Sequence, residues 1–327
     1  MPEPLGSNKS NTVAKMRRKV SIFYVKIYLK VKYLLFFTKK REKNEHFLCL
    51  IKKHYICPQK TDMKLDQLVY QVVDIAQQAS VEILKIYHSA DLHIQTKSDA
   101  SPVTAADLAS NRVITEGLSK LNLNLPILSE ETLEIPFEER CHFDYFWVVD
   151  PLDGTKEFIK RNGEFTINIA LIHQNKPVLG VVYMPDTEGV YFAVKDGGAF
   201  KLENGIEKRI HCSSFRLTDK GLRIPISRSH RNDATDKLFE VYNQPELIPC
   251  GSSIKFLKIA DGSFDIYPRI GTTMEWDTAA PQIVLEEAGG QILEWHTRKP
   301  LIYNKMDLRN PNFIAHGDII ELDTIFT

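Results

Sequence analysis

A bulky apolar run, Tyr145–Val149, ends on Asp150-Pro151-Leu152-Asp153-Gly154-Thr155, and this junction constrains the fold more than any other stretch of the chain. Aromatic and β-branched residues without a charge predict a buried strand whose end delivers Asp150 and Asp153 to solvent. Pro151 fixes its own φ and removes a donor, so the turn can aim the Leu152 carbonyl and both carboxylates at one point. Hard cations favour that mixture of oxygens. Gly154 permits close approach to the backbone. Thr155 opens a predicted helix, Lys156–Lys160, whose first N–H groups suit phosphate.

The 327-residue chain has room for one large or two ordinary domains. Its formal charge is zero, but residues 1–62 carry 15 Lys/Arg against 4 Asp/Glu, net +11, and the remainder is net −11. An acidic body argues against binding a nucleic-acid polymer, which depends on neutralising phosphates with Lys and Arg. A phosphorylated small molecule stays compatible if bound metal reverses the local sign. The five cysteines, Cys49, Cys57, Cys141, Cys212 and Cys250, form no Cys-x-x-Cys pair, which predicts a reducing compartment and no zinc site.

Val20–Phe37 is apolar but interrupted by Lys26, Lys30 and Lys32. Each lysine near the centre of a spanning helix costs roughly 2.5–3.5 kcal/mol, so a membrane span is not expected. No small-residue cleavage site follows, which disfavours a secretory signal. Two expectations remain for this segment: an extension unrelated to catalysis, translated upstream of a start at Met63, or a basic arm lying on an anionic membrane surface.

From Met63, Leu65, Leu68, Val69, Val72, Ala76, Ala79, Ile83 and Ile86 recur at three- and four-residue spacing, predicting a long amphipathic helix. A second is predicted over Ala105–Leu121 with Thr104 as N-cap. Alternation through Phe165–Leu171, then Val178–Tyr183 and Val190–Val194 around the turn Pro185–Gly189, predicts an antiparallel meander. Charge and turn residues near Glu203–Lys208 suggest a boundary. Beyond it, strands are expected at Leu222–Ser227, Phe264–Tyr267 and Gln291–Trp295, and helices at Thr235–Tyr242 and Thr278–Ala288, giving a two-part α+β protein.

Three further segments accompany the Asp-Pro-Leu-Asp-Gly-Thr junction. Lys97–Asp107 reads as a polar loop entering a helix, with Asp107 complementing the helix dipole. Ser129-Glu130-Glu131 follows the apolar Pro126-Ile127-Leu128 and would present a glutamate at a second strand end. In Glu275-Trp276-Asp277-Thr278-Ala279-Ala280, Asp277 is placed as an N-cap is, and Pro281 fits a first turn. In this order the four segments resemble the lithium-sensitive, magnesium-dependent phosphatase superfamily of inositol monophosphatases, fructose-1,6-bisphosphatases and 3'(2'),5'-bisphosphate nucleotidases. The resemblance runs from about Met63 to the C terminus. Asp150–Ile172 is similar to the bacterial bisphosphate nucleotidases, because Lys156-Glu157-Phe158 stands where inositol monophosphatases usually carry Asn-Phe after the Gly-Thr-x element. One departure is Pro281, where a small residue is common, with the expectation that it shifts the helix start and Asp277 with it.

The resemblance implies a layered αβαβα sandwich of the inositol monophosphatase/fructose-1,6-bisphosphatase type, with a metal-binding half over residues 63–205 and a substrate half over 206–327. It implies that Glu130, Asp150, the Leu152 carbonyl, Asp153 and Asp277 ligate two Mg²⁺ ions, or three. By the same resemblance Thr155 orients or deprotonates the attacking water with Asp107 behind it, and Glu130 assists. Leu152, Asp153, Gly154, Thr155 and Asp277 then line the substrate site, with His230, Ser252, Lys255 and Arg269 as nucleotide contacts. The implied reaction is hydrolysis of the 3'-phosphate of adenosine 3',5'-bisphosphate to AMP, with the sulfate donor PAPS as a related substrate, in sulfur assimilation. The expected partner is a small-molecule nucleotide, and the expected location is the cytoplasm, including the cytoplasmic face of the inner membrane. An inositol- or sugar-phosphate phosphatase uses the same core and remains an alternative. A non-catalytic phosphoinositide- or membrane-binding module is the alternative of another class, and it gives no reason to gather four acids around a phosphate. A calcium loop of the EF-hand kind fails on spacing, since Gly154 at position 6 would place Val149, Pro151 and Lys160 at positions 1, 3 and 12.

Overall fold

The computed structural model describes residues 63–92, 94–96, 102–132, 135–228 and 237–320. The first expected helix is α1 (Leu65–Tyr87), which buries Leu68, Val69, Val72, Ala76, Ala79 and Ile83 along one face. After the short strands β1 (Gln95–Thr96) and β2 (Pro102–Val103) comes α2 (Ala105–Lys120), whose N-cap is Thr104 as expected. Both helices lie against a seven-stranded sheet formed by β3 (Ile127–Ser129), β4 (Tyr145–Asp153), β5 (Thr166–His173), β6 (Lys176–Met184), β7 (Gly189–Val194), β8 (Gly198–Glu203) and β9 (Ile206–Arg209). The strands run in sequence order. β3 is parallel to β4, and every later neighbour is antiparallel. The charge and turn residues near Glu203–Lys208 form the β8–β9 hairpin, in which Glu203 pairs with Ile206.

β4 shows why its sequence lacks alternation. Trp147 and Val149 enter the core beneath α1 and α2, whereas Phe146 and Val148 enter a second core on the other face. A sheet covered on both faces buries every residue of a central strand. The second cover is α5 (Ile254–Ala260) and α6 (Glu275–Glu287), which follow α3 (Phe137–Arg140) and α4 (Thr155–Ile159) in the chain. At Gly180 of β6 a Cβ would lie 2.5 Å from the Ala280 carbonyl and from Ile283, so α6 sits on the sheet at a distance only glycine permits.

Beyond α6 lies a smaller antiparallel sheet of β13 (Ile266–Arg269), β15 (Phe313–His316) and β14 (Gln291–Glu294). Between α4 and these strands the chain also forms β10 (Ser214–Phe215), β11 (Arg223–Ile226) and β12 (Glu246–Pro249), and β16 (Asp318–Ile319) pairs with β10. Ile266, Leu293 and Ile314 of the small sheet pack with Ile224, Phe239 and Tyr242, so the far face is covered by the segment around a short helical turn at residues 237–239. The order helix, sheet, helix, sheet, helix is the expected layered α+β sandwich.

Two helices differ from expectation. α6 begins at Glu275, three residues before the expected Thr278, because tertiary contacts hold its first turn. Glu275 is fully buried, its carboxylate accepts from the backbone N–H groups of Asn304 and Lys305 and from Lys305 Nζ, and its own amide donates to Leu308. Pro281 therefore lies in the helix interior instead of the first turn and does not displace the helix start. α5 carries no sequence signal, since seven residues, six of them buried, are too few to display a helical period. The expected helix Thr235–Tyr242 begins outside the described residues, as do Val20–Phe37 and the whole of residues 1–62. Among the described residues no helix is long and apolar enough to cross a membrane, and Cys141, Cys212 and Cys250 are free thiols.

Candidate active site

The end of β4 reaches solvent only in part, at the half-buried Asp153. Asp150 is only 1% exposed, because β4 continues through Asp153 with an irregular register between the two acids. Asp150 faces Asn168 across the strand pair and Asp153 faces Thr166, so the extra residues of the bulge turn two carboxylates to the same side. Asp150 Oδ1 accepts from the Leu152 amide at 3.0 Å, which folds the turn back on its own acid. The Leu152 side chain is core. What it offers the site is its carbonyl, 3.4 Å from Thr155 Oγ1.

α6 brings the third acid. Asp277 is the third residue of the helix and not its N-cap; its Oδ2 accepts from the Met274 amide at 2.8 Å, closing the first turn. Carboxylate oxygens of Asp150, Asp153 and Asp277 all lie within 4.8 Å of one another. Burial drives the Asp150 and Asp277 carboxyls well above the ordinary carboxylate range, and neighbouring acids, Glu130 included, push the same way. Burial also raises Asp153, although hydrogen bonds from Ser253 and the nearby Lys255 charge oppose the rise. Glu130 stands just past β3, its amide bonded to the Val149 carbonyl, and acts on Asp150 and Asp277 through its charge. Such a group is stable only if protonated or if it holds a cation. All of its donors are oxygen, which is the chemistry of a hard metal ion.

The anion side is adjacent. Gly154 has φ +96°, and a Cβ there would meet the Glu164 carbonyl at 2.9 Å and Ser252 Cβ at 3.0 Å, so glycine is required both by conformation and by space. Thr155 starts α4 and its hydroxyl donates to Asp107 Oδ1 at 3.2 Å. The other Asp107 oxygen accepts from the Thr104 amide and hydroxyl at 2.7 and 2.6 Å. Asp107 therefore caps α2 and aims Thr155 at once. Ser110, one turn further along α2, donates to the Pro151 carbonyl at 2.7 Å and ties the helix to the bulge.

Lys255 and Arg269 lie on regular elements, α5 and β13, and both are buried. Lys255 Nζ donates to the Ser252 carbonyl at 2.6 Å and reaches the Cys250 carbonyl at 3.4 Å. Its charge acts on Asp153. Arg269 donates to the Thr272 carbonyl at 3.2 Å, keeps a buried Nε without a partner, and acts on Asp277. Ser252 sits in the left-handed region, φ 44°, beside Gly154. The geometry thus gathers Glu130, Asp150, Asp153, Asp277, Thr155, Asp107, Ser252, Lys255 and Arg269 around one locality. His230 lies outside the described residues. Sequence reasoning missed Asn168, Ser253 and Glu164. Thr166 and Asn168 are buried polar residues on a strand whose alternation predicts an exposed face, a signal visible only once that face is known to be covered.

A layered α+β sandwich with acids gathered beside a glycine-opened helix start is the setting of a phosphate-processing, metal-dependent class of protein. The chain belongs to the inositol monophosphatase family, which matches residues 64–322. The chain is 42% identical over 247 residues to a Salmonella typhimurium protein named 3'(2'),5'-bisphosphate nucleotidase CysQ, covering 75% of this chain and 98% of that relative. The Escherichia coli K12 protein of the same name is 42% identical over 246 residues, covering 74% and 97%. The crystal structure of CysQ from Bacteroides thetaiotaomicron superposes with a TM-score of 0.70 at 37% identity, covering 78% of this chain and 99% of that one.

Proposed function

We propose that the protein is a Mg²⁺-dependent 3'(2'),5'-bisphosphate nucleotidase that hydrolyses the 3'-phosphate of adenosine 3',5'-bisphosphate to AMP and phosphate, and that of PAPS likewise. The observation that carries this reading is similarity over nearly the full length of the bisphosphate nucleotidases, supported by three aspartates whose carboxylate oxygens gather within 4.8 Å of one another. Glu130, Asp150, Asp153, Asp277 and the Leu152 carbonyl would hold two Mg²⁺ ions, or three. Bound there, Mg²⁺ lowers the pKa of a water and offsets charge on the phosphoryl group.

The chain's own groups do the rest. Asp107 takes the Thr155 hydroxyl proton in a hydrogen bond, which leaves the Thr155 oxygen free to accept from the attacking water and orient it. Glu130 assists as the acid nearest the end of β3. Backbone N–H groups at Gly154 and Thr155 would hold the phosphoryl oxygens as charge develops. Arg269, with an unpartnered buried N–H, and Lys255, with Ser252 and His230, serve the part of the nucleotide that is not cleaved. The working division is a half over residues 63–205 that supplies Glu130, Asp150 and Asp153, and a half over 206–327 that opens with β9 completing the first half's sheet and supplies Asp277 and the substrate contacts, in the cytoplasm.

Phosphate release from a panel of adenosine 3',5'-bisphosphate, PAPS, inositol 1-phosphate and fructose 1,6-bisphosphate tests the reading. The adenosine bisphosphate is expected to give the highest kcat/KM; a preference for inositol 1-phosphate would overturn the nucleotide assignment and keep the phosphatase. Deleting residues 1–62 is expected to leave kcat and KM nearly unchanged, since every matched element follows Met63. An inactive but folded truncation would show that the basic segment belongs to the enzyme.

A further inference from the structure

We propose that Ser253 is a positioning residue for the cation site, its amide and hydroxyl holding the Asp153 carboxylate while the same hydroxyl lies against the main chain of Asp277. The proposal rests on reading Asp150, Asp153 and Asp277 as the seat of the cation. Asp153 Oδ2 accepts from both the Ser253 amide and the Ser253 hydroxyl, each at 2.5 Å, with Thr166 Oγ1 at 3.5 Å. Three donors thus converge on that one oxygen and hold the Asp153 side chain in place.

The same hydroxyl lies 3.1 Å from the main-chain carbonyl of Asp277. In an uninterrupted helix that carbonyl would accept from the N–H four residues further on. That residue is Pro281, inside α6, and it has no N–H to give. The proline thus exposes a buried acceptor at the residue that carries the third acid, and the Ser253 hydroxyl, whose single proton is shared between Asp153 Oδ2 and this carbonyl, is the donor beside it. On its remaining side the Ser253 oxygen accepts from Asn168 Nδ2 at 2.9 Å, and Asn168 is the cross-strand partner of Asp150. Ser253 is 1% exposed and Asn168 likewise, so no solvent competes for these bonds.

Ser253 belongs to the Gly251–Ser253 loop, which Glu164 grips at the other end by accepting from the Gly251 amide at 2.7 Å, while Arg228 binds Glu164 with two N–H groups at 2.7 and 2.8 Å. Ser252, a proposed nucleotide contact, sits between the two grips. The departure at Pro281 and the serine at 253 are two halves of one device.

The test titrates Mg²⁺ into the full-length protein by calorimetry, without substrate, alongside thermal unfolding. Ser253→Ala keeps the backbone bond to Asp153 and loses the hydroxyl. Its Mg²⁺ affinity is expected to fall about tenfold or more, the usual scale for removing a group that orients a ligand. The double variant that combines Ser253→Ala with Pro281→Ala restores a backbone N–H to α6 opposite the Asp277 carbonyl. Its Tm is expected to recover while Mg²⁺ affinity stays about tenfold down, and this double variant carries the test if the single one does not fold. If affinity returns together with Tm, or if Ser253→Ala binds Mg²⁺ as wild type does, Ser253 serves only the fold and the inference fails. Absence of Mg²⁺ binding by the wild type would instead overturn the cation reading itself, and the inference with it.

Discussion

Replacing Asp150 by Asn is expected to lower kcat by about a thousandfold at saturating Mg²⁺ while raising the Tm of the metal-free protein. The two effects have one source. Asp150 is the most buried of the three aspartates, and burial together with Glu130, Asp153 and Asp277 makes its negative charge costly. Asn has the same shape and keeps an oxygen to accept from the Leu152 amide at 3.0 Å, so the turn survives and the repulsion is relieved. What disappears is one formal charge on the metal, whose stabilisation of a phosphoryl transition state is worth several kcal/mol, or about three orders of magnitude in rate. Steady-state kinetics with adenosine bisphosphate and a melting curve in chelator measure both quantities. A near-wild-type kcat would make Asp150 a core acid without a role in the chemistry. A lower Tm in chelator would show that its charge is already satisfied within the protein.

The aspartates were legible because their neighbours carried a pattern. The apolar run before Asp150 fixed a strand, and Gly154 after Asp153 marked a tight approach; the structure bears out both. Thr104 as N-cap and Asp107 at a helix start were likewise readable from type and spacing. What the sequence could not show was depth. Asp150 lies within a strand that is covered on both faces, and the second cover comes from α6, more than a hundred residues later. The early start of α6 was hidden for a related reason. It depends on Asn304, Lys305 and Leu308 gripping Glu275, contacts between segments distant in the chain. Lys255 and Arg269 look like surface cations on loops when read locally, yet their burial on α5 and β13 is set by the second core and the small sheet. Ser253 was invisible because a Gly-Ser-Ser triplet is compatible with any loop. Its meaning comes from Asp153 on one side and a proline-freed carbonyl on the other.

Mg²⁺ removal is expected to change stability in a pH-dependent way that separates a metal site from a cluster of ordinary buried acids. In the metal-free protein the Asp150, Asp153 and Asp277 carboxyls have raised affinity for protons, whereas in the unfolded chain they titrate near about 4. Above that value the folded state holds more protons than the unfolded one, so stability falls as pH rises through the raised folded-state range. Mg²⁺ competes with those protons for the same oxygens and binds best once they have left. The increase in Tm on adding Mg²⁺ should therefore be small near pH 5 and large near pH 8, roughly the limits between which most proteins are maximally stable. Activity should vanish in chelator at every pH and return with Mg²⁺, and Li⁺ should inhibit it, as the family resemblance implies. Melting curves at several pH values, with and without Mg²⁺, decide the point. A Mg²⁺-induced shift that does not grow with pH would mean that the cation binds elsewhere, and turnover undiminished by chelation would remove metal from the mechanism altogether.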